Sequence, residues 1–232
     1  MIDRDARALV LLRRAVFQGW RNLPALAVGT ALVGTGLALL AVLTPGLTPL
    51  TLAGILLLVA PPASLLTHTA VRTVAGRDVT IVGSFRPTLA TARRGVAVTA
   101  VPVGFLGLLM AAGEVWRVTE QPLVVIPYGL CGAAVLISAL TLITALPLSL
   151  RHPEARLRRI WPAALAATAR QPLPPLGTLA VAVVGQWLSA TLYGPLLWLV
   201  PLPLCLVAAV SAALLGEAEE SPEGVSPAGR TP

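Results

Sequence analysis

The chain is 232 residues long, enough for one or two ordinary soluble domains, yet only 12% of its residues are charged and 56% are hydrophobic. Soluble domains carry roughly a quarter charged residues, so a globule of this composition lacks the charge to cover its surface. The mean hydropathy of +0.83 and the long uncharged runs point to a membrane instead. Every basic side chain behind the net charge of +7 is arginine, clustered beside the apolar runs, which excludes a nucleic-acid-binding reading.

Residues 1–22 are the first predicted element, a cytoplasmic amphipathic helix. Leu9, Leu12, Val16 and Trp20 fall on one face and Arg7, Arg14 and Arg21 on the opposite one, with Arg13 out of pattern. Such a helix suits the headgroup region. Residues 23–216 form the predicted transmembrane helical domain. A hydrocarbon core of about 30 Å takes about 20 helical residues. Six segments approach that length: 23–43, 50–71, 95–113, 122–150, 176–192 and 196–215. The first is too long for the core of a signal peptide and is read as a retained span. The fourth is long enough to tilt or to project from the bilayer. Only Tyr193, Gly194 and Pro195 separate the fifth from the sixth, which leaves a re-entrant pair or one bent helix as alternatives to two spans.

Two further amphipathic stretches lie between spans. In 84–94, Ser84 is a candidate N-cap, with Phe85, Leu89 and Ala92 as an apolar stripe. In the other, Leu157, Ile160, Trp161, Ala164, Leu165 and Thr168 follow the i, i+3, i+4, i+7 pattern, with Pro162 expected close to the helix start. Residues 217–232 open with Glu217, Glu219 and Glu220 and are rich in Ser, Pro and Gly, so they read as a disordered cytoplasmic tail. The expected fold is all-α: a polytopic transmembrane helical bundle of about six spans with basic amphipathic cytoplasmic helices.

Orientation follows from arginine. Arg4, Arg7, Arg13, Arg14 and Arg21 precede the first span. Arg72, Arg77, Arg86, Arg93 and Arg94 lie between the second and third, and Arg151, Arg156, Arg158, Arg159 and Arg170 between the fourth and fifth. The intervening connections hold Arg117 beside Glu114 and Glu120. Every second connection is basic, which predicts a multi-pass protein of the plasma membrane with both termini cytoplasmic.

Five residues are candidate functional positions. Pro61 and Pro62 remove two backbone donors from the middle of the second span, as a transporter's broken helix does or as a static kink does. His68, between Thr67 and Thr69, is either a proton-relay or ligand residue or an interfacial side chain satisfied by a hydroxyl, carbonyl or water; the absence of an acidic partner in the spans favours the latter. Arg72 closes the same segment. Gln186 beside Trp187 either binds a polar solute or hydrogen-bonds between helices; the second is the more ordinary use. His152 lies in a basic loop and reads as solvated. Gly29, Gly34 and Gly36 make a small-residue surface on the first span, suited to close helix packing.

No Asp, Glu, Lys or Arg occupies the interior of a predicted span, and no Walker A, His-Glu-x-x-His or Gly-x-Ser-x-Gly pattern occurs. Cys131 and Cys205 both lie in apolar runs and read as small hydrophobes. The chain is therefore expected to be no enzyme and to hold no cofactor or metal.

Residues 59–78 resemble the YesL-like family of bacterial integral membrane proteins, a domain of unknown function. Pro62, Ala63 and Ser64 match the proline and small residues late in that family's second span. Arg72, Gly76, Arg77 and Asp78 match its basic-Gly-acidic turn, and Phe85, Arg86 and Arg93 its short segment before the third. Residues 14–26 and 146–176 fit in layout, while the doubled proline and the alanine-rich spans depart from the pattern. The resemblance implies an accessory or regulatory role in a carbohydrate transport system, with ABC transporter subunits as partners, and transfers no site residue. Two alternatives stand beside it. One is a permease subunit in its own right, although Glu154 and Ala155 are followed by Arg156 rather than by a coupling-loop pattern. The other is a structural or lipid-interacting protein, whose basic surfaces meet the bilayer and its anionic headgroups.

Overall fold

The computed structural model describes residues 10, 13, 16–44, 46–77, 88–191 and 201–219. Ser84, Phe85, Arg86, the Tyr193-Gly194-Pro195 turn and the tail from 220 lie outside the described residues. Among those described, every regular element is a helix.

Helix α1 is Leu23–Leu43. Helical hydrogen bonding reaches it from the N-terminal side through Asn22, whose N–H donates to the Gln18 carbonyl (3.0 Å) and whose carbonyl accepts from Leu26 N–H (3.1 Å). Pro24 sits in the first turn, where a missing N–H has little effect. At the far end three threonines build the turn into the next helix. Thr44 Oγ1 donates to the Leu40 carbonyl (2.6 Å), Thr48 and Thr51 cap each other reciprocally, and Thr51 Oγ1 donates to the Gly46 carbonyl (2.7 Å).

Helix α2 is Pro49–Val74 and contains a π-helical stretch, Ile55–Val59. The cause is written two residues later. Pro61 and Pro62 have no N–H to give the Leu57 and Leu58 carbonyls, and a proline ring would clash with the carbonyl four residues back in a regular turn. Widening the preceding turn relieves that clash. The helix ends in a Schellman motif: Gly76 lies at φ +76, its N–H donates to the Thr73 carbonyl (2.9 Å), and Arg77 N–H reaches back to the Arg72 carbonyl (3.1 Å). The glycine of the basic-Gly-acidic turn is thus a helix terminator.

Helix α3 is Thr88–Thr119 and is longer at both ends than the 95–113 expected. The described part of the predicted 84–94 helix is simply the start of α3. With Val98 and Gly95 buried on the same side, nothing in this sequence forces a break there. A 3-10 turn, Pro122–Val124, leads into α4, Val125–Arg151. Helix α5 is Leu157–Arg170, so Pro162 lies in the helix interior and not near its start, on the exposed side. Helix α6 is Leu173–Thr191 and α7 is Pro201–Glu219, extending past residue 217 where the tail was expected to begin.

Side-chain contacts define an up-and-down arrangement. Gly29 and Gly36 of α1 face Leu66 and Leu58 of α2, and Gly95 and Gly107 of α3 face Ser64 and Leu52. Gly113 faces Tyr128, while Val98 packs with Ala145. One buried cluster joins α1, α2 and α7 through Leu26, Val33, Leu66, Ala70, Val74, Ala209 and Ala213. A second joins α3, α4 and α5 through Val98, Ala145, Ile160 and Ala164.

Among the described residues, four helices are long and apolar enough to cross a membrane: Leu23–Leu43, Pro49–Val74, Leu89–Thr119 and Pro122–Arg151. Their outward faces carry large apolar side chains, including Leu39, Leu57, Leu108, Leu130 and Ile137, all exposed. Such a surface is compatible with lipid and would be an aggregation liability in water. The described apolar parts of α6 and α7 are shorter, Leu173–Gly185 and Pro201–Val210.

Candidate functional site

The helix contacts bring the ends of α2 and α4 and the starts of α1 and α3 to one end of the bundle. That end carries Arg21, Arg72, Arg77, Arg93, Arg94, Arg151, Arg156, Arg158 and Arg159. The opposite end carries Glu114, Arg117 and Glu120, with Arg117 Nη2 2.7 Å from Glu114 Oε1. An aromatic pair, Trp116 and Tyr128 with ring centroids 5.6 Å apart, lies beside that ion pair. Basic residues gathered at one end follow the charge asymmetry of membrane proteins, and aromatic side chains such as Trp20 at that end and Trp116 and Tyr128 at the other suit the two interfaces.

Within the bundle, the second half of α2 presents Ser64, Thr67, Thr69 and Thr73, all buried. Each hydroxyl donates to a carbonyl of its own helix. Ser64 Oγ reaches Pro61 (2.7 Å), Thr67 reaches Ala63 (2.8 Å), Thr69 reaches Leu65 (2.9 Å) and Thr73 reaches Thr69 (2.9 Å). These bonds hide polar atoms in an apolar setting and leave the hydroxyl protons engaged. Thr67 Oγ1 also lies 3.6 Å from Cys205 Sγ on α7.

Pro61 and Pro62 sit where α2 meets α1. A Cβ placed on Gly36 would lie 2.5 Å from the Leu58 oxygen, so the glycine lets α1 come directly against a carbonyl that Pro62 cannot serve. Leu58 and Val59, just before the proline pair, thus lie against α1. His68 is half-buried and shares its helix face with Ser64 and Arg72, one turn away in either direction. Arg72 is half-buried and its Nε is inaccessible without a hydrogen-bond partner. Gln186 belongs to α6, and its side chain lies outside the described residues. Among the described residues, no group of three or more His, Cys, Asp or Glu is placed to hold a metal ion.

The tertiary contacts reveal positions that sequence reasoning missed. Asn22, only 4% exposed, donates through Nδ2 to Thr73 Oγ1 and to the Arg77 carbonyl, 3.4 Å each, and so ties the start of α1 to the end of α2. An amide between Arg21 and the first apolar run was the available signal. Arg94 reaches from α3 to the loop after α4, where its guanidinium donates to the carbonyls of Pro153, His152 (2.8 Å) and Ala155 (2.5 Å). It therefore caps the end of α4 in addition to supplying charge. Thr144 of α4 and Thr168 of α5 share a hydrogen bond of 2.6 Å. The apolar stripe of α5 is used the same way. Ile160, Ala164 and Thr168 are buried against α3 and α4, so most of that stripe is an internal packing face. No family model, curated protein or solved structure matches this chain.

Proposed function

We propose that the chain is a six-span protein of the bacterial plasma membrane, with both termini in the cytoplasm, acting as a non-catalytic accessory or regulatory component of a carbohydrate transport system. The observation that carries the orientation is the gathering of arginines at one end of the bundle, with the Glu114–Arg117 pair and the Trp116–Tyr128 pair at the other. The accessory role is supported by the likeness of the α2 terminus to the YesL-like pattern and by a basic face suited to a partner's cytoplasmic surface. Affinity purification of the full chain from native membranes should recover an ABC transporter subunit at near-stoichiometric yield; repeated recovery of the chain alone refutes the role. A reporter at Gly194 should be accessible from outside the cell, and a cytoplasmic Gly194 refutes the six-span topology.

A transporter in its own right is the second reading, favoured by the broken turn before Pro61 and Pro62. The tight approach of Gly36 to Leu58 weighs against a moving break. Solute flux through proteoliposomes of the pure protein would establish this reading over the first.

A further inference from the structure

The N-terminal segment leading into α1 is inside-out by the standards of a soluble helix. Val16, Phe17 and Trp20 are 67%, 66% and 77% exposed, and Val10 is exposed as well. Its opposite side is small and polar and turns toward the protein. Gly19 is buried, with room for a Cβ only 3.7 Å from Leu206 of α7, Gln18 is half-buried, and Asn22 is bonded to the end of α2. At 100° per residue, Arg13 falls between Phe17 and Trp20 on the exposed arc, and Arg21 falls at its edge.

We infer that residues 16–21, with Val10 and Arg13 before them, form an interfacial anchor that binds the anionic leaflet of the bilayer. Three observations select that occupant. The exposed apolar arc continues into α1 at Leu23, its first residue, which is exposed next to Val16 and Trp20 on the same side. The arc mixes aromatic and aliphatic side chains with arginines, the composition that seats a helix at the headgroup–acyl boundary. The arginine-rich end of the bundle, which includes Arg77 beside the Asn22 contact, surrounds it with the complementary charge. Asn22 and Gly19 hold the segment against α2 and α7, so the anchor's pose is set by the protein and its outward face is left to lipid. The inference rests on the membrane reading above and not on which leaflet is cytoplasmic.

The test uses the full chain with Cys131→Ala and Cys205→Ala, carrying a fluorophore on Phe17→Cys, one copy per nanodisc. Discs are made of phosphatidylcholine alone or with about one third phosphatidylglycerol. The label should be protected from iodide and quenched by lipid bearing a spin label at a shallow acyl position, and protection should strengthen with the anionic lipid. Each arginine beside an anionic surface strengthens binding about fivefold, so Arg13→Gln with Arg21→Gln should remove most of the dependence on phosphatidylglycerol. A label on Glu120→Cys, at the other end of the bundle, should not respond to lipid charge. Iodide access to the Phe17 position in both discs overturns the anchor, and protection that is identical in both overturns its preference for anionic lipid. Both readouts are independent of the Gly194 reporter, so failure of the anchor and failure of the topology are distinguishable.

Discussion

Replacing Gly36 by alanine puts a methyl carbon 2.5 Å from the Leu58 oxygen and 3.1 Å from its carbonyl carbon. Carbon–oxygen contacts settle at about 3.3–3.6 Å, so α1 and α2 must part by roughly 1 Å. The obstacle is backbone, and no rotamer change moves it. Overpacking of this kind costs about 1–3 kcal/mol; the upper half is expected because the opposing atoms are backbone and cannot rotate away. Two other glycines supply the scale. Gly104 faces open space inside α3, and Gly104→Ala should be as stable as the parent or more stable by up to about 1 kcal/mol, the gain alanine brings to a helix interior. Gly54 meets only the tip of the Leu40 side chain, which can rotate away, so Gly54→Ala should lie between the two. The assay is reversible unfolding in mixed micelles of graded denaturing detergent, followed by far-UV circular dichroism. A Gly36→Ala protein as stable as Gly104→Ala would refute the close approach of α1 to the proline-broken turn.

Gly95→Ala should destabilise by about 1–3 kcal/mol through collision with the Ser64 side chain, and adding Ser64→Gly should recover most of the loss in a double-mutant cycle. Arg94→Gln removes a charged donor from three loop carbonyls, so unfolding in the same micelles should cost about 1–2 kcal/mol and proteolysis near residues 152–156 should accelerate; Arg94→Lys should restore only part, since one ammonium cannot reproduce the planar fork. Thr144→Val leaves Thr168 without its interhelical partner and should cost about 1 kcal/mol, read as faster hydrogen exchange of α5 than of α4.

Several expectations depended only on local rules, and these agree with the structure. The segments 23–43 and 122–150 recur as α1 and the 3-10 turn plus α4 within a residue or two, because a long uncharged run suits a helix wherever it packs. The spacing of Ile160, Ala164 and Thr168 implied one apolar helix face, and the three are buried together, but that the face packs inside the bundle and not on lipid or a partner was not in the spacing. The start of α3 and the position of Pro162 were missed for one reason. Caps and breaks read from sequence presume that the local signal decides, whereas contacts with α4 and α5 extend the helix through them.

By itself, the sequence determined the solvent, the helical class and the charged end of this protein, since all three follow from summed apolar length and from where arginine is placed relative to it. Tertiary structure alone decided which small and polar residues matter. Gly36 matters because the Leu58 carbonyl lies across from it, Asn22 because Thr73 and Arg77 come within reach, and Arg94 because the α4 terminus lies beneath it. These partners are separated by 22 to 61 residues in the chain. No spacing rule spans that distance; only the packing of one helix against another brings such groups together.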